Sequence, residues 1–348
     1  MNPTTNPAEL GYAMPAEWAP HQATWISWPH NLDTWPGVLE AAEASMALAV
    51  AALAPAETVR INVLGADHEA RVRSRLGPLG DSPAVVFHHF PTNDAWCRDH
   101  GAIFVRNAAG RLAAVDCGFN AWGGKYPPWD LDDAIPAQMA AVLGVPRFAG
   151  GLILEGGSID VNGAGTLLTT EQCLLNTNRN PGMSRAEIEE RLRMLFGVRQ
   201  ILWLGDGIAG DDTDGHVDDI TRFVAEDIVV TVIEPNPADP NHAPLADNLA
   251  RLRAMRLPDG RPLNVVELPM PHPVELDGVR LPASYGNFYI GNEAVLLPAF
   301  GQPGDELARR ILADCFPARR IVPIRANELV VGLGAFHCLT QQLPAAGA

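Results

Sequence analysis

The chain has 348 residues, of which 47% are hydrophobic and 19% charged, a composition typical of a folded protein with a large core. Its 25 Lys and Arg residues against 41 Asp and Glu residues give a formal net charge of −16. That balance argues against a nucleic-acid partner, which would need a basic surface, and is compatible with a small cationic substrate.

Cysteine usage and hydropathy predict a cytoplasmic protein. The five cysteines include no C-x-x-C pair and do not form a disulfide framework. The first 18 residues lack the basic start and apolar stretch of a signal peptide. Apolar runs fall short of the ~20 residues needed to span a bilayer, so we expect no membrane partner.

Helical patterns alternate with short β-branched runs along the whole chain. The start of one helix, Ser184 with Glu187 three residues later, fits a capping box. Helices are predicted over 35–53, 67–76, 134–143, 184–196, 243–255 and 304–315. Strands are predicted over 58–64, 84–90, 102–106, 112–116, 166–169, 200–204, 228–233, 264–268, 294–297, 321–324 and 329–332.

Helix and strand recur roughly once every 50 to 60 residues without a low-complexity linker. This pattern favours one α/β domain over residues 1–348, built from about five similar units. Polar, Gly-rich segments separate the units, and we expect chemistry there because loops on a rigid scaffold carry function. These segments are 93–99, 119–125, 154–158, 214–218 and 332–340, each predicted at a strand end.

Cys338 is the candidate nucleophile. It follows the Gly332-x-Gly334 turn, where the backbone allows a substrate to approach closely, and Thr340 beside it is polar. The alternative is a small buried hydrophobe, which is how we interpret Cys173 and Cys315.

His216 is the candidate general acid and base. In an extended segment His216 and Asp218 would project to the same face, and a neighbouring carboxylate raises the proton affinity of a histidine. A surface turn is the plain alternative. A metal site is disfavoured because the other histidines are scattered and do not form a tight cluster.

Two further carboxylates complete the candidate set. Asp99 lies beside Trp96, and Glu155 precedes Gly156 and Gly157, where little side-chain bulk screens it. Taken singly, an ion pair of Asp99 with Arg98 and an exposed turn at Glu155 are simpler interpretations. Together with the cysteine and the histidine, the carboxylates indicate one catalytic site.

These segments resemble the bacterial-type agmatine deiminases and the related microbial peptidylarginine deiminases. The similarity extends over residues 14–344. It rests on MPAEWAPHQATWISWP, NDAWCRDHG, FNAWGG, LEGGSIDVNGAGTLLTTEQCLLN, DTDGHVDD, ASYGNFY and FHCLTQQ, in this order along the chain.

The resemblance implies a five-bladed α/β propeller with pseudo-fivefold symmetry, built from repeated ββαβ units around a central active site. It also implies no metal, no organic cofactor and a homodimer or larger homo-oligomer. The implied catalytic residues are Cys338 as nucleophile, His216, Glu155, Asp99 and Asp218, with Trp96 and Asn287 of ASYGNFY among the substrate-binding residues.

The chain departs from the agmatine deiminase pattern in two places. Residues 332–338 are GLGAFHC where that family has GGGNIHC, and the segment 125–129 after FNAWGG is shorter. We expect both segments near the part of the pocket that meets the tail of the substrate.

A guanidinium is a poor electrophile because its charge is delocalised and its amino groups leave poorly. The candidate residues can overcome both obstacles. Asp99 and Asp218 would grip it by bidentate hydrogen bonds and hold its carbon against Cys338. The bound cation would favour the thiolate. His216 would protonate the leaving ammonia and later activate water, Glu155 would orient His216, and Trp96 would stack on the cation.

The leading prediction is therefore hydrolysis of agmatine to N-carbamoylputrescine and ammonia through an S-alkylthiouronium on Cys338. The same chemistry on peptidyl-arginine or another guanidino compound is the first alternative. A metal-dependent amidohydrolase and a non-catalytic polyamine-binding propeller are the others.

Overall fold

The alternation of helices and strands is present in the structure, a computed structural model that describes residues 6–347. The α/β class is therefore confirmed. Within the described residues the helices are α1 (Leu39–Leu53), α2 (Ala66–Leu76), α3 (Cys97–His100), α4 (Ala121–Gly124), α5 (Asp130–Asp133), α6 (Ile135–Leu143), α7 (Glu171–Leu174), α8 (Arg185–Phe196), α9 (His242–Ala254), α10 (Pro303–Cys315) and α11 (Phe336–Leu339).

The strands are short, as the spacing of turn residues predicts. Within residues 6–347 they are β1 (Tyr12–Ala13), β2 (His21–Ser27), β3 (Thr58–Val63), β4 (Val85–His89), β5 (Ile103–Asn107), β6 (Leu112–Gly118), β7 (Arg147–Ile153), β8 (Asp160–Val161), β9 (Thr166–Thr170), β10 (Gln200–Leu204), β11 (Thr221–Ala225), β12 (Ile228–Ile233), β13 (Asn264–Pro269), β14 (Glu275–Leu276), β15 (Val279–Arg280), β16 (Tyr289–Ile290), β17 (Ala294–Ala299), β18 (Arg320–Arg325) and β19 (Thr340–Pro344).

The described strands form five sheets of three or four strands and one small hairpin, β14-β15. The sheet orders are β19-β2-β3-β4, β1-β5-β6-β7, β10-β9-β8, β11-β12-β13 and β16-β17-β18. In the first of these the C-terminal strand β19 pairs with β2 near the start of the chain. The two ends of the fold are thus held in one sheet.

All five sheets share one pairing pattern. A strand that we call the lead strand pairs antiparallel with the next strand of its sheet, and that strand pairs parallel with the one after it. The lead strands are β5, β8, β11, β16 and β19. The parallel pairs of this pattern are β2-β3, β6-β7, β9-β10, β12-β13 and β17-β18, and β3-β4 adds a sixth parallel pair at the edge of the first sheet.

The six longer helices serve as crossovers, because two parallel neighbours cannot be joined by a tight turn. Helix α8 is representative. The predicted capping box at Ser184 is present, with Ser184 Oγ accepting from Glu187 N and Glu187 Oε2 accepting from Ser184 N. Its buried residues Ile188, Leu192 and Leu195 follow the spacing of a single helix face.

Two predicted elements differ in the structure. Helix α1 begins at Leu39 and not at residue 35, because Gly37 adopts a positive φ of 72° and forms a turn. The predicted strand 329–332 is a 3-10 turn, which was a wrong assignment. There Val330 N bonds to Ala326 O, and the chain leaves the turn through Leu333 at φ 74°.

Several strands were not predicted, most importantly β2, β7, β11 and β19. Strand β19 looks polar in sequence, yet all five of its residues are buried. Gln341 and Gln342 both accept hydrogen bonds from Arg98, which satisfies amides that would otherwise be costly to bury. No helix in the described range 6–347 has the length and apolar character to cross a membrane.

Candidate active site

The predicted catalytic residues and the predicted substrate-binding residue Asn287 occupy one recurring position in the fold. Each lies in the short connection that leads directly into a lead strand, so five separate sheets contribute to one cluster. Asp99 precedes β5, Glu155 precedes β8, His216 and Asp218 precede β11, Asn287 precedes β16, and Cys338 precedes β19. Residues far apart in sequence thereby become neighbours.

Gly157 marks the point where three of these side chains converge. A Cβ placed on it would lie 2.6 Å from His216 Nδ1, 2.8 Å from Asp99 Oδ1 and 3.0 Å from Asp218 Oδ2. A side chain at position 157 would therefore collide with the cluster. The sequence predicts little side-chain bulk beside Glu155 at Gly156 and Gly157, and in the structure the space beside Gly157 is occupied by the predicted catalytic groups.

His216 and Asp218 do share one face, although for a different reason than predicted. The segment Val217–Asp219 is a 3-10 turn and not extended chain, so the two-residue alternation of a strand does not apply. His216 is fully buried, with Nδ1 3.7 Å from Asp99 Oδ1 and Nε2 3.9 Å from Glu155 Oε2. Burial opposes protonation, but Asp99 and Glu155 outweigh it and raise the pKa of His216 well above its usual value.

Cys338 lies in α11, between two polar groups. Asn287 Nδ2 is 3.0 Å from its Sγ, and Asp218 Oδ2 is 3.6 Å from the same sulfur. Burial, together with Asp218, Asp219 and Asp99, raises the pKa of the Cys338 thiol well above its usual value. At neutral pH the free protein therefore carries a thiol at this position.

Asn287 was predicted to bind substrate, and the structure places its amide on the nucleophile. Besides the contact with Cys338, Nδ2 donates to Asp219 Oδ1 at 2.9 Å, while Oδ1 accepts from His337 N. Burial and neighbouring carboxylates raise the pKa of Asp219 well above its usual value. Asp219 and Asn287 together fix the position of the sulfur.

Glu155 is held by an arginine that the sequence analysis did not identify. Arg179 Nε donates to Glu155 Oε1 at 2.7 Å, and both side chains are buried. The other oxygen of Glu155 faces His216, which supports the predicted orienting role. Cys173 is buried as predicted, but one ligand atom each of Glu155, Cys173 and His216 lies within 4.8 Å of the others, so this thiol borders the site.

The cluster contains half of the unsatisfied buried polar atoms of the described residues. Eight buried side-chain nitrogen and oxygen atoms in residues 6–347 have no hydrogen-bond partner, and half of them belong to predicted catalytic residues. These four are Glu155 Oε2, His216 Nδ1, His216 Nε2 and Asp218 Oδ1. Since buried polar groups are normally paired, such a concentration indicates a site that completes its hydrogen bonds with a ligand.

A cavity of about 900 Å³ leads to Cys338. Trp96 lines it as predicted, and so does Trp122, whose Nε1 donates to Asp99 Oδ2 at 3.0 Å. Burial, with Asp218 and Glu155 near, outweighs His216 and raises the pKa of Asp99 to about 6. The ion pair of Asp99 with Arg98 that was the simpler interpretation is not formed, because Arg98 pairs with Glu17.

Both segments that depart from the agmatine deiminase pattern border this cavity. Tyr126, Pro127 and Pro128 contribute from the first, Gly332 and Leu333 from the second. Gly334 allows close packing nearby, since a Cβ there would lie 2.5 Å from the Trp96 ring and 3.2 Å from Cys338 Sγ.

Two groups of side chains have the spacing of a metal site, namely Glu155, Cys173 and His216, and Asp218, Asp219 and Cys338. Both consist largely of the atoms that guanidinium chemistry would use. A planar cation held by two carboxylates accounts for the excess of acidic groups, and we assign no metal to either group.

The cluster thus combines a cysteine, a histidine and several carboxylates beside a cavity. This combination of groups is typical of a cysteine-dependent hydrolase that acts on cationic substrates. A family model described as Porphyromonas-type peptidyl-arginine deiminase matches residues 13–344. The chain therefore belongs to this family, which confirms the resemblance seen in the sequence.

Individual relatives are similar over almost the full chain. Proteins named agmatine deiminase from Ectopseudomonas mendocina (strain ymp) and Stutzerimonas stutzeri (strain A1501) are 39% and 40% identical, with 98% of each chain covered. The solved structure of agmatine deiminase of Enterococcus faecalis superposes with a TM-score of 0.91 at 34% identity, again over 98% of both chains.

Proposed function

We propose that this protein is an agmatine deiminase, a hydrolase that cleaves a C–N bond of the agmatine guanidinium to give N-carbamoylputrescine and ammonia. The near full-length similarity to named agmatine deiminases supports this substrate. The observation that carries the chemistry is the convergence of His216, Asp99 and Asp218 around Gly157, where several polar atoms are unpaired. Cys338 Sγ lies 3.6 Å from Asp218 Oδ2 of this group.

Asp99 and Asp218 bind the guanidinium in this mechanism. Asp218 Oδ1 has no partner among the described residues, and Asp99 Oδ2 receives a single indole N–H. Two carboxylates facing a planar cation can form paired N–H···O bonds, which are about twice as strong as neutral hydrogen bonds. Trp96 and Trp122 line the same cavity and supply aromatic surface for the cation.

Cationic substrate also activates the nucleophile. The surrounding carboxylates keep Cys338 protonated in the free enzyme. A bound guanidinium neutralises Asp99 and Asp218, so the sulfur no longer faces uncompensated negative charge and its proton is released to solvent. The Asn287 amide, 3.0 Å away, then donates to the thiolate.

The thiolate attacks the guanidinium carbon and forms an S–C bond. The C–N bond to one amino group breaks, and ammonia leaves with a proton from the His216 imidazolium. An S-alkylthiouronium remains on Cys338. Water then attacks the same carbon, and neutral His216 takes one of its protons. The S–C bond breaks as the remaining hydroxyl proton passes to solvent, which releases N-carbamoylputrescine and the thiolate.

The wider organisation remains a prediction that two observations support. We propose that the five sheets are the blades of a pseudo-fivefold propeller and that residues 1–348 form a single domain. The shared pairing pattern and the catalytic connection before each lead strand support the propeller. The pairing of β19 with β2 supports the single domain. A homo-oligomer also remains a prediction from the family resemblance.

Ammonia release by the purified protein tests this function. Agmatine, free arginine, a blocked arginyl peptide and several guanidino acids are supplied separately to wild type and to Cys338→Ala, each with and without a chelator. We expect turnover of agmatine that is lost in Cys338→Ala and unaffected by the chelator. Turnover of another guanidine in place of agmatine would overturn the substrate, and no turnover of any guanidine would overturn the enzyme assignment.

A further inference from the structure

Glu17 lies beneath the active site although it belongs to the N-terminal motif MPAEW, far from the catalytic residues in sequence. It is buried and paired with two arginines. Its Oε2 lies 3.1 Å from Arg98 Nη2, and its Oε1 lies 2.9 Å from Arg222 Nη2 and accepts from Ile290 N. Burial raises the pKa of Glu17, but Arg222, His337 and Arg98 outweigh it and hold that pKa well below the usual value.

His337 connects Glu17 to the catalytic cluster. Its Nε2 is 2.8 Å from Glu17 Oε2, and its Nδ1 is 2.6 Å from Asp218 Oδ2. A carboxylate oxygen only accepts hydrogen bonds, so each ring nitrogen must donate. His337 is therefore an imidazolium between two carboxylates, and its side chain is 2% exposed.

Because His337 bonds to one oxygen of Asp218, the two oxygens of this carboxylate have different roles. Oδ2 is occupied by His337, and Oδ1 has no partner within the described part of the chain. The side chain is thereby fixed with one oxygen free for the substrate. Burial raises the pKa of Asp218, but the hydrogen bond and the charge of His337, followed by His216 and Arg222, outweigh it and lower that pKa. The acids Asp99 and Asp219 lie close by.

We propose that Glu17 and His337 are positioning residues of the deiminase: Glu17 holds His337 protonated, and His337 keeps Asp218 ionised and oriented for the guanidinium. The proposal rests on the proposed function and adds to it residues that do not touch the substrate. The charged groups around His337 are Glu17, Arg98, Asp160 and Asp218. Arg222 pairs with the other oxygen of Glu17. Without the imidazolium, the buried carboxylates of the site would face one another and Asp218 would take up a proton.

Three substitutions separate charge from hydrogen bonding. His337→Asn keeps a donor near Asp218 but removes the charge, His337→Ala removes both, and Glu17→Gln leaves the imidazole in place while removing its counter-charge. His88→Asn is the matched control, because His88 is also buried but bonds to Arg60, away from the cluster.

The effect appears in agmatine binding and in the pH profile. In His337→Asn the pKa of Asp218 should rise, since loss of an opposite charge shifts a neighbouring pKa by about 1 to 3 units. Asp218 then takes up a proton together with Asp99, whose pKa of about 6 sets the acid limb of kcat/KM, so we expect that limb to become steeper than about tenfold per pH unit. At about pH 5 the KM should rise roughly 10-fold or more relative to wild type, while kcat at saturation changes less. Glu17→Gln should change the acid limb and the KM in the same direction. His337→Ala should show the largest change in both.

A binding experiment separates this proposal from the proposed function. Agmatine affinity is measured by calorimetry across pH in the Cys338→Ala background, with and without His337→Asn, and circular dichroism verifies folding. Loss of affinity that is recovered at higher pH supports the positioning role. Equal affinity at every pH, or the same loss in His88→Asn, overturns it. Absence of agmatine binding in Cys338→Ala itself would count against the substrate.

Nitrogen-15 NMR of the histidine side chains provides a readout that needs no substrate. At neutral pH we expect both ring nitrogens of His337 to carry protons, with signals absent in His337→Asn. A neutral His337 at pH 7 would overturn the proposal whatever the enzyme turns over.

Discussion

Two buried clusters of charged residues lie next to each other in this protein and are built differently. The catalytic cluster is Cys338, His216, Asp99, Asp218 and Glu155. The arginine network is Glu17, Arg98, Arg222, Asp160 and His337. Both are removed from solvent, yet the catalytic cluster contains unpaired atoms while the network pairs each of its charges at 2.5 to 3.1 Å.

The difference shows how the fold separates rigidity from reactivity. Unpaired buried polar atoms are unfavourable and persist when the surrounding structure holds them in place. In the arginine network, Arg98 bonds at once to Glu17, Gln341 and Gln342, and so connects the N-terminal segment to the last strand. The catalytic cluster can remain unsatisfied because its neighbour is fully satisfied.

The largest expected effect is on the catalytic cluster. His216→Asn should lower kcat by about 10³-fold, within the 10² to 10⁴ typical of general acid–base residues, because ammonia then leaves without a proton. Agmatine affinity in the Cys338→Ala background should change far less. Steady-state kinetics and calorimetry measure the two quantities. The exposed His89, which pairs with Glu69, provides a control substitution. A kcat near that of wild type would exclude His216 as the acid.

The next effect concerns stability. Arg98→Met breaks the buried ion pair with Glu17 and leaves the side-chain oxygens of Gln341 and Gln342 without their donor, so we expect a loss of about 3 to 5 kcal/mol in the free energy of unfolding. Urea denaturation of the Cys338→Ala protein measures it without turnover. Arg309→Met, which breaks an exposed pair with Glu306, should leave the urea midpoint unchanged. Equal urea midpoints for the two variants would show that the arginine network does not stabilise the fold.

A pH effect follows from Asp99. Its pKa is raised from 3.8 to about 6, and the ionised form binds the guanidinium, so kcat/KM should fall as the pH drops through about 6. Below that value the decrease should approach about tenfold per pH unit. The raised pKa of His216 keeps the acid form present at neutral pH. An acid limb near the ordinary aspartate value would show that Asp99 does not limit binding.

The smallest effect lies outside both clusters. Ser184→Ala removes the cap of α8 and should cost about 1 kcal/mol of stability, whereas Ser184→Gly should cost only a few tenths. Neither should alter kcat/KM, because α8 is a crossover remote from Cys338 in sequence and does not line the cavity. A change in turnover would mean that a displacement of α8 reaches Glu155 through the sheet β10-β9-β8.

Local sequence was sufficient to predict what local forces determine. The long helices, the capping box at Ser184 and most apolar strands follow from side-chain periodicity and terminal polar residues, which act over a few residues. Cys338, His216 and the candidate carboxylates were identifiable because polar residues beside glycines break these patterns. Their assignment to one site came from the resemblance to a known family.

The tertiary structure determines which residues are the hydrogen-bond and ion-pair partners of these groups. Nothing in the chain near Glu155 indicates Arg179, and nothing near His337 indicates Glu17, because these contacts join segments 24 and 320 residues apart. Strand β19 has a polar sequence whose burial depends on distant partners, such as Arg98 and the Ala102 carbonyl for its glutamines. The sequence by itself therefore predicted which groups carry the chemistry. The convergence of the connections before the lead strands decided which atoms are paired and which are free for a substrate, since hydrogen bonding and electrostatics depend on distance in space and not along the chain.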